Sequence, residues 1–286
     1  MKFQTPIFEI WDQGTDLASI WSHVARCVRV CYQSESSKNP NESDEGFVKR
    51  VILRHDPPSS ESNHTAMLEH GTIYLKHEVN GDFATYSDLE KYEHNKYSKY
   101  NCVIKYTPMR KCTYVTTNLR VIIENDWIED LLYLCSPTCF HENRVTVSFI
   151  TNIGVSREFN RHRVNSVAEE STRYCNYTKD KFDNCITFAT PNWDISDEAY
   201  GVYKDALCKA EDSYNKLIAL GWTPQQAREV LPLATKTQLV HTAFVSDWKH
   251  FFSLRAEGIS GSVHPNAKFI AQPLMTEFIE RGLLSE

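Results

Sequence analysis

The stretch VTVSFITNIGV, residues 145–155, decides how the rest of the chain is read. Val145, Val147, Phe149, Ile153 and Val155 fall on one side of an extended chain; Thr146, Ser148 and Asn152 fall on the other. That alternation predicts a central strand. Directly behind it comes REFNRHRVNSVAEESTRYCNY, residues 157–177, with four arginines, one histidine and three carboxylates. Cationic chemistry gathered at the end of a core strand is a common setting for a ligand site.

Arg161, His162 and Arg163 are consecutive, so their side chains fan apart. They could line two neighbouring anionic ligands, or one long one such as a dinucleotide. The planar guanidinium fork suits phosphate and also imide or carboxylate edges. Ser171, Thr172 and Arg173 form a second cluster, whose hydroxyls, backbone N–H groups and arginine suit a phosphate. Glu169 and Glu170 add acceptors for ribose hydroxyls. A competing reading is a solvated face, with Arg161 or Arg163 paired to Glu169 or Glu170.

Working outward, DLASIWSHVARCVRVCY places Leu17, Ile20, Trp21, Val24 and Val28 at helical spacing. A polar loop is expected over 34–46. A helix follows over 47–55, closed by Asp56-Pro57-Pro58. GTIYLKHEV (71–79) alternates as a strand and ends on an Asn80-Gly81 turn. Residues 82–112 are rich in tyrosine and lysine and read as irregular. Residues 118–135 read as two short helices, the second with Asp126 and Glu129 as a capping box. The last third reads as helical. Ser196 caps a helix running to Leu220 and stopped by Gly221. Thr223-Pro224-Gln225-Gln226 starts another, broken by Pro232. Helical segments follow at 246–258 and 265–282. The expectation is an α+β fold: one mixed α/β domain over 1–286, with a central, mostly antiparallel sheet flanked by helices and an elaboration at about 82–140.

A length of 286 residues allows one large domain or two small ones, and no repeat or linker argues for two. The net charge of -6 argues against binding a nucleic-acid polymer but permits a local anion site. Nine cysteines, an odd count without a CxxC pair, and no leader segment favour a reducing cytosol. Cys27/Cys31 and Cys135/Cys139 have helical i,i+4 spacing and read as small buried hydrophobes rather than a metal site. His64, His70 and His162 match no metal-binding spacing, so no metal is expected. No apolar run approaches the ~20 residues that span a membrane.

Arg161-His162-Arg163, seven residues, then Ser171 spell RHRx7S, completed by Arg173-Tyr174. This resembles the signature of the flavin-dependent thymidylate synthases. HTAMLEH (64–70) is similar to that family's His-x-x-x-x-Glu-His segment, and RVCY (29–32) to its N-terminal element. AREVLP (227–232) is similar to its Ala-Arg-x-x-Leu-Pro helix and FFSLR (251–255) to its Phe-x-x-Leu-Arg element. The resemblances run in order from about residue 16 to about 256.

The resemblance implies reductive methylation of dUMP to dTMP. FAD, reduced by NADPH, would be the cofactor and methylene-tetrahydrofolate the carbon donor. It implies cofactor contacts from His64, Arg161, His162, Arg163, Glu169 and His250. It implies nucleotide contacts from Glu158, Arg161, Glu169, Glu170, Ser171, Thr172, Arg173, Arg228 and Arg255. Arg255 is assigned the catalytic role: a guanidinium at the uracil N3–O4 edge would stabilise negative charge developing on the ring. A cytoplasmic homotetramer with shared sites is implied, bacterial or phage-encoded, as is independence from a nucleophilic cysteine. Glu158 stands where the family often has Gln. Ala66, Ala168, Phe244, Ser246 and His250 also depart from its pattern, mostly on the FAD side. A catalytically silent nucleotide- or flavin-binding member of the same fold is the alternative.

Overall fold

In the computed structural model, residues 1–53, 65–80, 87–106 and 109–285 are described. The strands are β1 (Lys2–Gln4), β2 (Ile7–Trp11), β3 (Thr72–Asn80), β4 (Lys99–Tyr106), β5 (Met109–Asn118), β6 (Arg144–Asn152), β7 (Ser166–Glu169), β8 (Thr187–Ala189) and β9 (Lys236–Phe244). The α-helices are α1 (Leu17–Tyr32), α2 (Asp44–Val48), α3 (Leu119–Glu124), α4 (Ile153–Phe159), α5 (Asp197–Ala219), α6 (Pro224–Ala227), α7 (Val245–Phe252) and α8 (Pro265–Glu280). Short 3-10 and π segments connect several of them.

β2, β6, β9 and β7 form an antiparallel sheet in that order, and β3, β5 and β4 form a second. β1 and β8 pair in parallel. Helix α1 is buried between the two larger sheets. Ile20, Trp21, Val24 and Val28 pack toward Ile73, Leu75 and Val115 of the three-stranded sheet. Cys27 and Val30 pack with Trp11, Ala168 and Val240 of the other. On the far face of the four-stranded sheet, Val145, Val147, Phe149 and Leu239 meet Trp248, Phe251 and Phe252 of α7 and Ile270, Leu274 and Phe278 of α8. The fold is therefore mixed α/β, with antiparallel sheets flanked by helices, as the sequence pattern implied. Among the described residues no helix is long and apolar enough to cross a membrane.

Several local expectations are corrected. The strand expected over 145–155 stops at Asn152, whose side chain accepts from the Val155 N–H at 2.8 Å and caps α4. Ile153 and Val155 are therefore helical. The segment at 82–112 is not irregular throughout, since β4 and the start of β5 lie within it. β5 is buried along nearly its whole length, so its Thr, Tyr and Cys residues show no apolar/polar alternation. Within the largely helical last third, β9 is a strand and an interior member of the four-stranded sheet.

Asp126 does not cap a helix: it adopts a left-handed φ of 58°. Asn118 caps α3 instead, accepting from Val121 N–H at 3.1 Å, and Ile128–Tyr133 is a 3-10 turn without a side-chain cap. Cys135 and Cys139 are not on a helix. The helix expected over 47–55 begins earlier, at Asp44, and continues as a π segment through Leu53; its close at Asp56 lies outside the described residues. The caps at Ser196 and Thr223 form as read, the latter as a capping box with Gln226.

Candidate active site

The end of β6 delivers the chain to the rim of the sheet. Asn152 turns it into α4, and backbone bonds from Arg161 N to Glu158 O, His162 N to Phe159 O and Asn165 N to His162 O fold the exit into tight turns. The chain re-enters the sheet as β7 beside β9. The RHR motif is thus the crossing between two strands of one sheet, and its middle residue points inward. His162 is 5% exposed, while Arg161 and Arg163 are exposed.

Arg255, on the π turn after α7, reaches this crossing. Its Nε donates to His162 Nε2 at 3.2 Å, Nη1 to Glu158 Oε2 at 3.1 Å and Nη2 to Glu158 O at 2.8 Å. A ring nitrogen that accepts from a guanidinium is unprotonated, so His162 is neutral with its proton on Nδ1. Burial first, then the charge of Arg255 and the neighbouring His250, push its pKa down to about 4. The exposed His250 packs edge-on to it, with ring centroids 5.6 Å apart.

The carboxylates of the motif do not pair with its arginines. Glu169 accepts from Asn160 Nδ2 at 2.9 Å and from Thr237 Oγ1 at 3.0 Å. Glu170 turns inward: its side chain is 1% exposed, with Lys236 Nζ at 2.7 Å and Tyr177 OH at 3.3 Å. Among the described residues, the arginines without a carboxylate partner are Arg144, Arg157, Arg161, Arg163 and Arg173. Arg144 is the exception in kind, half-buried and donating to Glu69 O at 2.8 Å and Ser166 Oγ at 3.2 Å. The other four belong to the 157–173 stretch and are exposed. The ion-paired face considered from sequence is therefore not what forms.

Ser171, Thr172 and Arg173 follow β7 as a separate patch. Arg228 Nη1 donates to Thr172 Oγ1 at 3.3 Å, and Arg173 Nε to Gln225 Oε1 at 3.2 Å. The backbone N–H of Glu170 is taken by Gln238 O and that of Ser171 by Cys31 O. A phosphate at this patch would therefore meet side chains rather than those two amides. Among the described residues no hydrogen bond joins this patch directly to the Arg255–Glu158–His162 set. His64 lies outside the described residues. His70 is fully buried, its Nδ1 2.8 Å from Thr242 Oγ1.

Sequence reading missed Asn160, Lys236, Thr237 and His241, which hold the motif from behind. The available signal was β9 itself, KTQLVHTAF, whose β-branched content suits a strand. A cavity of about 580 Å³ lies on the α1 side of the sheet, lined by Glu170, Lys236, Arg26, Arg29 and Gln238 among others, and none of the motif's arginines lines it.

Exposed arginines without a carboxylate partner among the described residues, two of them flanking a buried neutral histidine at a strand crossing, are chemically suited to anionic, phosphorylated small molecules. The model of the family described as thymidylate synthase complementing protein matches residues 89–278, and the chain belongs to that family. A flavin-dependent thymidylate synthase of Tropheryma whipplei is 28% identical over 162 residues, covering 51% of this chain and 68% of the relative. One of Pyrococcus furiosus is 32% identical over 96 residues, covering 33% and 38% respectively. Among solved structures, a UMP/dUMP methylase of Streptomyces cacaoi bound with 5-Br dUMP aligns with 15% identity and a TM-score of 0.45, over 98% of this chain and 93% of that one.

Proposed function

We propose that the protein is a flavin-dependent thymidylate synthase, which methylates dUMP reductively to dTMP. Methylene-tetrahydrofolate would be the carbon donor and NADPH the reductant of the flavin. The observation that carries this reading is the set of exposed arginines left without a carboxylate partner, Arg161, Arg163 and Arg173, beside the partnered pair Arg255 and Arg228. Family membership supplies the reaction class.

The donor set fits FAD: unpaired guanidinium groups suit its pyrophosphate and the anionic edge of a reduced ring, and Arg161, His162, Arg163, Glu169 and His250 would hold it, with His64. Bound flavin supplies the redox chemistry. The chain's own residues bind and orient. Arg173, Ser171, Thr172 and Arg228 receive the nucleotide phosphate. Arg255, with three of its five N–H groups engaged by His162 and Glu158, keeps two for the uracil edge, where it stabilises charge as it develops. Glu170, held by Lys236 and Tyr177, braces the loop from inside. A homotetramer with sites shared between neighbouring subunits goes with this reading.

The test is release of tritium from 5-labelled dUMP together with dUMP-dependent NADPH oxidation, on protein whose absorbance reports bound flavin. Flavin and activity together support the reading. Bound dUMP without release would favour the silent nucleotide-binding alternative, and neither flavin nor dUMP binding would overturn both.

A further inference from the structure

Glu169, which the proposed function puts among the residues that hold the flavin, is held by a chain of side chains that starts deep in β9. A carboxylate only accepts hydrogen bonds. Asn160 must therefore turn its Nδ2 toward Glu169 Oε2, at 2.9 Å. Its Oδ1 then faces the other way, and there it meets His241 Nε2 at 3.2 Å. An amide oxygen needs a donor, so His241 carries its proton on Nε2. Its Nδ1 must then accept, and Asn165 Nδ2 stands 3.1 Å from it. On the other carboxylate oxygen, Thr237 Oγ1 donates at 3.0 Å. Every orientation in the chain follows from the one carboxylate at its end.

His241 is fully buried, between Phe149 and Trp248, whose rings lie at centroid distances of 5.9 and 6.5 Å. Burial pushes its pKa down to about 3. It therefore stays neutral and keeps a single N–H to give. Swapping that proton to Nδ1 would set Asn160 Oδ1 against a lone pair, or flip its oxygen onto the carboxylate.

We propose that His241 is a positioning residue for the reaction: its Nε2–H fixes the Asn160 amide, and the amide fixes the Glu169 carboxylate. The proposal rests on the assignment of Glu169 to the active site. Neither His241 nor Asn160 needs to touch a ligand to act.

The relay and its role are tested separately. Nitrogen-15 NMR of the histidine rings in the wild-type protein is expected to find His241 protonated on Nε2 alone. A proton on Nδ1 overturns the relay, whatever the activity. For the role, Asn160→Leu and His241→Leu should each lower kcat about tenfold with the KM for dUMP little changed, since each breaks the line that orients the carboxylate. The double variant should lose no more than the single ones, because the two act in series. His241→Gln, which can place an amide N–H near the same point, should restore kcat to within about twofold of wild type, a rescue that a purely structural loss would not give. Additive losses, a wild-type kcat in His241→Leu, or no rescue by Gln overturns the role. A wild type without dUMP-dependent turnover would overturn the functional assignment itself, with the NMR result still deciding the relay.

Discussion

Glu158 holds Arg255 with two different atoms: its carboxylate Oε2 accepts from Nη1 at 3.1 Å and its backbone carbonyl from Nη2 at 2.8 Å. With His162 on Nε, the guanidinium is fixed in plane and position before any ligand arrives. Preorganised donors aimed at developing charge contribute strongly to rate. Arg255→Ala should therefore lower tritium release from 5-labelled dUMP by about a hundredfold or more. Arg255→Lys should rescue little of it, because a point charge cannot reproduce the fork. Full activity in Arg255→Ala would refute the catalytic assignment.

The same pairing sets a charge balance. The Glu158 side chain is 33% exposed and that of Arg255 18%, so their attraction is partly screened and modest. A carboxylate beside an anion site still opposes an incoming anion. Glu158→Gln keeps an acceptor for Nη1 and removes the charge. It should lower the KM for dUMP about threefold with kcat within twofold, a change the size of a partly exposed ion pair. Glu158→Ala should instead lower kcat, since the guanidinium loses its side-chain anchor. Steady-state kinetics at fixed ionic strength separates the two, and a raised KM in Glu158→Gln would show that the carboxylate itself helps bind the nucleotide.

Much of this site was legible because its residues are neighbours in sequence. Arg161, His162 and Arg163 sit on one turn, and Ser171 to Arg173 follow on the next loop. What was not legible is what stands behind them. His241 meets Asn160 across 81 residues, and Thr237 meets Glu169 across 68. β9 escaped notice because its polar side chains are buried and satisfied sideways. Thr242 lies 2.7 Å from Thr146 and 2.8 Å from His70, and Thr146 lies 3.0 Å from His23. Periodicity finds a strand when one face meets water, and here neither does. β5 was missed for the same reason, with Thr113, Thr116 and Thr117 all fully buried.

Those buried histidines make stability depend on acid. Burial lowers the pKa of His23 to about 4 and of His241 to about 3, His162 falls to about 4, and His70 lies well below its ordinary value. Unfolded histidine titrates near ~6.5. Between the folded values and that point the unfolded chain binds protons that the folded chain does not, so stability rises with pH across the window. The contribution is complete above about 6.5 and is lost as the pH falls toward about 4. Calorimetry from pH 7 to pH 4.5 should find a falling Tm. Proton uptake on unfolding at pH 5 should be smaller by nearly one in His241→Gln. A Tm flat across that range would contradict the neutral, buried assignments.

The loop that the proposed function gives to the nucleotide leans on a buried ion pair, and that gives the sharpest stability test. Lys236 Nζ lies 2.7 Å from Glu170 Oε2, with the two side chains 16% and 1% exposed. Tyr177 adds its hydroxyl, which burial and the same carboxylate keep protonated. Lys236→Met leaves the Glu170 carboxylate inside with a single tyrosine, which should cost about 3–5 kcal/mol in urea unfolding. Lys236→Met combined with Glu170→Gln removes both charges and should recover most of that loss, because burying no charge costs less than burying one alone. The loop should respond in parallel. Glu170 N is bonded to Gln238 O and Ser171 N to Cys31 O, so a carboxylate forced outward pulls on the residues that precede Thr172 and Arg173. The KM for dUMP should therefore rise in Lys236→Met and return toward wild type in the double variant. A stable Lys236→Met would mean that Glu170 finds water or takes up a proton there, and its KM would then tell whether the loop needs the pair at all.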